Sequence, residues 1–122
     1  MFLNIDFSSE LSIYEQIRRQ IILALARGDI EYGYDLPSVR NLAADIGVNL
    51  HTVNKAYKLL EEDGIIEMDR RRGSKIVDKK LPIKEEKRDD IFENLNFLVA
   101  FSRLKGISKE EIISLVEKIY GF

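Results

Sequence analysis

Residues 36–64 read LPSVRNLAADIGVNLHTVNKAYKLLEEDG and divide at Gly47 into two short stretches with helical periodicity. Ser38 precedes the first stretch and Asn49 the second, each at a position typical of a helix N-cap. The apolar residues spaced three and four apart are Val39, Leu42, Ala43 and Ile46, then Val53, Ala56, Tyr57 and Leu60. Two helices joined by a short turn that contains glycine are typical of a helix-turn-helix.

The other side of the second helix is polar and weakly cationic, since it carries Asn49, His51, Asn54, Lys55 and Lys58. Donors and acceptors at the leading turns of a helix can reach base edges in the DNA major groove. Asn54 is suited to bidentate pairing with adenine, and His51, Thr52 and Lys55 are suited to bases or phosphates. For such a helix taken alone, the alternative is a merely solvated amphipathic surface.

The flanking sequence completes a winged helix. Residues 12–27 place Ile13, Ile17, Ile21 and Leu25 four apart and stop before Gly28, which predicts a first helix. Residues 65–77, IIEMDRRRGSKIV, contain two apolar runs around an arginine-glycine tip and predict a β-hairpin. The predicted fold is therefore mainly α with a small β-hairpin, and residues 1–77 are expected to form a winged helix-turn-helix domain.

Cations are concentrated although the formal net charge is −2. Residues 69–75 hold four cations against one acid, and Arg70, Arg71 and Arg72 stand together at the predicted hairpin tip. Like charges crowded in a turn favour binding to a polyanion. Arg40, on the first turn of the second helix, can reach a groove edge or a phosphate. Its alternative role is a surface ion pair with an acid such as Asp45.

Composition also excludes several classes of protein. The 122 residues include no cysteine and one histidine, His51, so we expect no disulfide, no ordinary zinc site and no cofactor. The sequence shows neither a nucleophile with a neighbouring histidine nor a glycine-rich phosphate loop, and we therefore expect no enzyme. No signal peptide or run of about 20 apolar residues is visible, which favours a cytoplasmic protein without membrane association.

The C-terminal part predicts a second module. Residues 78–90, DKKLPIKEEKRDD, read as a linker running into a helix start, and residues 91–122 predict two helices over 91–104 and 108–120. The first helix is apolar on more than one side, and so small a unit has too little core to cover it. We expect a two-helix dimerisation module in a homodimer; the alternative is that this tail packs on its own winged helix. The expected interface residues are Phe92, Leu95, Leu98, Phe101, Ile112, Leu115, Val116 and Ile119.

Residues 36–66 closely resemble the DNA-binding domain of the GntR family of bacterial transcription regulators. The shared pattern runs Leu-Pro-Ser-x-Arg-x-Leu-Ala, Gly-Val, Thr-Val, Ala-Tyr and Leu-Glu-x-x-Gly, and the likeness extends over residues 10–77. The wing departs from the family's Arg-Gly-x-Gly-Thr-Phe-Val, because Arg71 replaces a glycine and Lys75 the aromatic residue. The short tail resembles that of the YtrA-type subfamily. The DNA contacts that the resemblance implies are Ser38, Arg40, Asn49, Leu50, His51, Thr52, Asn54, Lys55, Arg71, Arg72 and Gly73.

Together these observations predict a sequence-specific transcription regulator, a repressor that occludes a palindromic operator in double-stranded DNA as a homodimer. The alternative from another class is a winged-helix protein-interaction module without sequence-specific DNA binding. A third hypothesis, compatible with repression, is a sensor of an unknown small-molecule effector.

Overall fold

The structure is a computed structural model that describes residues 3–69, 71 and 73–121. The chain divides into two compact units, residues 1–80 and 81–122, which are described separately below. The domain limits expected from the sequence, 1–77, 78–90 and 91–122, stay predictions, because compactness does not show which part folds alone.

The first unit contains three helices followed by a β-hairpin. The elements are α1 (Ile13–Arg27), α2 (Val39–Ile46), α3 (Leu50–Glu62), β1 (Ile66–Asp69) and β2 (Gly73–Ile76). The strands pair antiparallel, with Ile66 opposite Ile76 and Asp69 opposite Gly73. A mainly helical fold with a small hairpin is therefore confirmed.

Local capping explains where these helices begin and end. The side chains of Ser12, Ser38 and Asn49 each accept a hydrogen bond from a backbone N–H in the first turn of the helix that follows. Gly28 and Gly47 end α1 and α2 in the left-handed region, at φ values of 83° and 69°. A residue without a Cβ adopts that conformation at little cost, so both stops follow from the sequence.

The core of this unit lies around α3, which packs against α1, α2 and β1. The amphipathic faces predicted for the three helices are the ones that point inward. The largest fully buried side chains are Ile17, Ile21, Val53, Tyr57, Leu60 and Ile76. Burial of each such aliphatic side chain contributes about 1.5–3 kcal/mol, so this cluster is the main source of stability.

The segment before α1 is held by two glutamines, a feature that the sequence analysis does not predict. Gln16 accepts a hydrogen bond from Asp6 N (2.9 Å) and donates to Asp6 O (3.0 Å) and Leu11 O (2.9 Å). One turn later, Gln20 accepts from Asn4 N (2.9 Å) and donates to Asn4 O (2.8 Å). The side-chain amides therefore bind the backbone much as a neighbouring strand would.

The segment that enters α2 runs beside β2. Ile76 N donates to Tyr34 O at 2.8 Å and Leu36 N donates to Ser74 O at 2.9 Å. Between these bonds Asp35 forms an isolated antiparallel bridge with Lys75. The hairpin thus fixes the path of the chain up to the residue before Pro37.

The second unit contains α4 (Glu85–Leu104) and α5 (Lys109–Tyr120). Helix α4 begins six residues before Ile91, so residues 85–90 of the predicted linker are helical. Glu85 and Glu86 in the first turn interact favourably with the helix dipole, which accounts for this early start. Helix α5 begins with a capping box, in which the Ser108 side chain accepts from Glu111 N and the Glu111 side chain accepts from Ser108 N.

No residue described in α4 or α5 is buried. Within the described part of the chain, no helix combines the length and the apolar character that crossing a membrane requires.

Candidate nucleic-acid interface

The predicted polar face of α3 lies on the surface of the first unit. His51, Lys55 and Lys58 are exposed, and Thr52 and Asn54 are half-buried at the flanks of this face. The opposite side of the same helix is in the core, with Val53, Ala56, Tyr57 and Leu60 buried. Because α3 is anchored along its whole inner side, its outer side chains project from a rigid support.

The start of α3 combines a capping group with an apolar side chain. Asn49 Oδ1 accepts a hydrogen bond from His51 N at 2.7 Å, so the oxygen serves the helix and the amide nitrogen is the group left to donate to a ligand. Leu50 is 40% exposed. An exposed apolar group at this position suits the methyl group of thymine, which is the apolar feature of the major groove.

Lys55 is oriented by an aromatic ring on α1. Its Nζ lies 4.0 Å from the centroid of the Tyr14 ring. A cation over a ring contributes about 0.5–1 kcal/mol at an exposed site and restricts a side chain that is otherwise flexible. This contact cannot be predicted from the sequence pattern, since the two residues meet only in the folded unit.

Ser38 and Arg40 lie at the start of α2. Ser38 Oγ accepts a hydrogen bond from Asn41 N at 3.0 Å, which leaves its hydroxyl hydrogen for another acceptor. Arg40 is exposed on the first turn. The sequence leaves open an ion pair between Arg40 and Asp45 as an alternative role. The ion pairs among the described residues do not include it.

Tyr57 joins α3 to the residue that precedes Ser38. Its side chain is 0% exposed and its hydroxyl donates to Pro37 O at 2.7 Å. Burial raises the pKa of this hydroxyl, with a smaller contribution from nearby Tyr34. Sequence periodicity assigns Tyr57 to the core but does not identify its hydrogen-bond partner. The sequence indicates only that such a partner exists, because a buried phenol hydroxyl needs an acceptor.

The tip of the hairpin contains Arg71, which is exposed and whose backbone N donates to Asp69 Oδ1 at 2.8 Å. Gly73 has a φ of 82°, a conformation that other residues adopt only with strain. The predicted contact Arg72 and its neighbour Arg70 lie outside the described residues.

The side chain of Lys75 lies near acidic residues and does not add to the cationic charge of the hairpin tip. Its Nζ lies 3.0 Å from Asp78 Oδ1. This hydrogen bond, together with the charges of Asp78, Glu67 and Asp35, raises the pKa of Lys75. The count of four cations over residues 69–75 therefore overstates the charge available to a polyanion, because one of the four is paired within the unit.

Comparison with known proteins agrees with this geometry. The family model for bacterial regulatory proteins of the gntR family matches residues 12–76, from the first helix to the end of the hairpin. The HTH-type transcriptional repressor YtrA of Bacillus subtilis (strain 168) is 39% identical over 118 residues, which cover 96% of this chain and 91% of that protein.

Two solved structures are similar over most of the chain. One, described as a transcriptional antiterminator from Listeria monocytogenes EGD-e, is 31% identical with a TM-score of 0.84 and covers 100% of this chain and 94% of its own. The other is YtrA from Sulfolobus acidocaldarius, a GntR-family transcription factor, 38% identical with a TM-score of 0.61 and covering 77% of this chain and 97% of its own.

These relatives are named as regulators and not as enzymes, in agreement with the sequence analysis. The similarity to YtrA reaches past the hairpin into the two-helix unit, so the predicted subfamily resemblance is confirmed as well. The chain belongs to the GntR family of bacterial transcription regulators.

Proposed function

We propose that this protein is a sequence-specific repressor that binds a palindromic operator as a homodimer. The observation that carries the proposal is the division of α3 into two sides. One side is buried in the core, and the other presents His51, Asn54, Lys55 and Lys58 at the surface. A helix of this kind fits the major groove, which is about 12 Å wide and displays a different donor and acceptor pattern for each base pair.

In this proposal the leading turns of α3 read bases. Asn54 pairs with adenine, His51 and Thr52 contact base edges or nearby phosphates, and Leu50 meets a thymine methyl group. Lys55, restrained above Tyr14, is assigned to a phosphate, because its ammonium group is drawn toward α1 at the edge of the polar face.

The remaining predicted contacts fix the position of the unit on the DNA backbone. Ser38 is the N-cap of α2, Arg40 lies in its first turn, and Asn49 is the N-cap of α3. The starts of helices favour anions. The tip residues Arg71, Arg72 and Gly73 are proposed to meet the sugar-phosphate backbone or the minor groove beside the recognition helix. These contacts supply affinity and register, whereas the α3 contacts supply sequence preference.

The homodimer is supported by the unburied apolar surface of the second unit. Of the eight predicted interface residues, six are exposed in one chain, and Ile112 and Ile119 are half-buried. Further large apolar side chains are exposed beside them: Ile91, Phe97, Val99, Leu104, Ile113 and Tyr120. Monomeric proteins rarely expose apolar patches of this extent, which mark interaction surfaces.

A second copy of the chain is the occupant we propose for this surface. Helix α4 carries apolar residues on more than one side and α5 along one broad side, so two pairs of helices can bury one another in a bundle. A twofold axis places the same patch of each copy against its counterpart, which closes the assembly. Two recognition helices related by that axis read an inverted repeat, with half-sites about one helical turn of DNA or more apart.

Repression is proposed by occlusion of the operator. It is supported by the similarity to YtrA of Bacillus subtilis, which is named a repressor.

Selection of duplexes from a random pool by the full-length chain tests the proposal. We expect an enriched inverted repeat bound by two chains, measured by sequencing and by sedimentation of the complex. An RNA duplex of the enriched sequence should not compete, because the major groove of A-form RNA is too deep and narrow for a helix. A pool without any enriched motif would contradict the proposal and favour a protein-interaction module.

A further inference from the structure

Tyr57 combines complete burial with a hydrogen bond to a second functional element. The side chain is 0% exposed, and Oη donates to the carbonyl oxygen of Pro37 over 2.7 Å. This distance is typical of a good O–H···O bond. The hydroxyl is a donor at physiological pH, as an ordinary phenol is, and burial raises its pKa further. Pro37 is followed directly by Ser38, the N-cap of α2.

Besides the bond from Tyr57, the start of α2 is held by the buried side chain of Leu36 and by Val39, which is half-buried and packs against the core. The backbone bonds to β2 end at Leu36, one residue before Pro37. Helix α2 has eight residues, and its buried side chains, Leu42 and Ala43, lie beyond its first turn. The bond from Tyr57 therefore holds the chain at the point where α2 begins, just before the turn that carries Arg40.

We propose that Tyr57 is a positioning residue for DNA binding, whose hydroxyl sets the place of Arg40 relative to the recognition helix α3. The inference rests on the proposed function, since Arg40 and α3 must touch the same duplex. Groups that act together on one ligand need to be held within about 0.5 Å of the productive geometry by supporting contacts. A hydrogen bond from inside α3 to the residue before Ser38 provides such a support.

A double-mutant cycle with Tyr57→Phe and Arg40→Ala tests this inference on the full chain with its selected duplex. Loss of the hydroxyl should weaken binding by about three- to tenfold in the wild-type background, the range expected for one hydrogen bond. In the Arg40→Ala background the same change should weaken binding by less than about twofold, because the group to be positioned is already gone. Binding is measured by fluorescence anisotropy.

Tyr32→Phe is the matched control, because Tyr32 is 44% exposed and the next residue, Gly33, bonds to Val77 at the end of β2 remote from the tip. This control should bind DNA like wild type. Amide hydrogen exchange gives a readout without DNA. In Tyr57→Phe, exchange at Asn41 N, which bonds to Ser38 in the first turn of α2, should be faster, and exchange in α1 should be unchanged.

The possible outcomes separate the two proposals. If the wild-type chain selects no duplex, the proposed function fails, and the exchange measurement alone decides whether Tyr57 positions α2. If the wild-type chain binds, three results each overturn the inference: unchanged binding in Tyr57→Phe, equal weakening in both backgrounds, or wild-type binding by Arg40→Ala. A purely structural role would lower the unfolding temperature and weaken both backgrounds equally.

Discussion

The two units of the chain use their apolar residues in opposite ways. In the winged helix, each helix has one apolar side, and residues such as Ile17 and Leu60 are 0% exposed. In the two-helix unit, Phe97 and Leu104 are 64% and 83% exposed. A helix with one apolar side can close a core within a single chain, whereas a helix that is apolar on several sides needs more cover than one neighbour provides. The first unit thus covers most of its own apolar side chains, whereas the second leaves its large apolar side chains exposed in a single chain.

The polar contacts show the same contrast. In the winged helix several of them join residues far apart in the chain, as in the ion pair of Arg18 with Asp63 at 2.6 Å, which links α1 to the end of α3. Among the described residues of the second unit, the side-chain hydrogen bonds are local. Ser102 donates to Leu98 O, and Ser108 bonds with Glu111. Local bonds define helices but do not hold one helix against another.

The largest expected effect concerns the core of the winged helix. Leu60→Ala should lower the free energy of unfolding by about 2–5 kcal/mol at every protein concentration, because it leaves a cavity in a fully buried site. Urea unfolding followed by circular dichroism measures the loss. Leu23→Ala on α1, where the side chain is 38% exposed, is the control and should cost under about 1 kcal/mol. Equal losses of unfolding free energy in the two variants would contradict the prediction that the buried site of Leu60 is more tightly packed than the surface site of Leu23.

The second prediction concerns the proposed dimer interface of the second unit. Leu98→Glu should weaken self-association by about a hundredfold or more, because a carboxylate would be buried without a partner at the dimer interface. Sedimentation equilibrium over a range of concentrations measures it. Asn96→Glu introduces the same charge into α4 at an exposed polar position and should have a much smaller effect. A wild-type chain that is monomeric at every concentration would contradict the proposed homodimer.

The third prediction concerns the outer side of α3 and the start of α2. Arg40→Ala and Asn54→Ala should each weaken specific binding by about 1–3 kcal/mol if they contact bases or a fixed phosphate. The substitutions leave the core untouched, so the unfolding temperature should hardly change. Arg19→Ala is the control, because it removes an exposed cation from α1 that is paired with Glu15 at 3.0 Å. Equal binding by all three variants would refute the assigned site.

A fourth, smaller effect depends on pH. Because the pKa of Tyr57 in the folded chain is raised above its usual 10.0, the protonated hydroxyl contributes stability that is fully present below pH 10.0. That contribution is lost as the pH rises through the folded value, by at most about 1.4 kcal/mol per pH unit. Tyr57→Phe should therefore show a shallower alkaline decline in unfolding free energy than wild type. Tyr32→Phe should keep the wild-type slope; the same slope in all three chains would contradict the prediction.

The smallest expected effect separates two cations of the wing. Arg71→Ala should reduce the slope of log K against log salt by about 0.9, the value for one released counterion. Lys75→Ala should leave that slope unchanged, because Lys75 is paired with Asp78. Binding measured at several salt concentrations tests both. An equal reduction for Lys75→Ala would show that the pairing opens when DNA binds.

Much of the fold follows from local signals in the sequence. The caps at Ser38, Asn49 and Ser108 and the stop at Gly47 act within a few residues, so the helix limits can be predicted. The start of α4 is the exception. Its first turns are charged, and charge alone does not distinguish a solvated helix from a linker. The polar face of α3 is predictable for the same reason as its buried face, since both follow from one periodicity.

The candidate site is less predictable, because its support comes from residues far apart in the chain. Lys55 meets Tyr14 across two helices, and the charge of Asp35, 40 positions earlier in the chain, adds to the acidic surrounding of Lys75. Neither contact leaves a pattern in the sequence. The residue types suggest a DNA-binding surface, but which cations remain available to it depends on their folded neighbours.

The amino-acid sequence alone determines the helical periodicity, the capping residues and the surplus of apolar side chains in the tail. Each of these features acts over one or two turns of backbone. The bond from Tyr57 to Pro37 spans 20 positions and the bond from Arg18 to Asp63 spans 45. Such pairs are brought together by the packing of α1, α2 and α3 around a common core. Which residues become partners therefore depends on the tertiary structure of the whole unit, and it cannot be predicted from a short stretch of sequence.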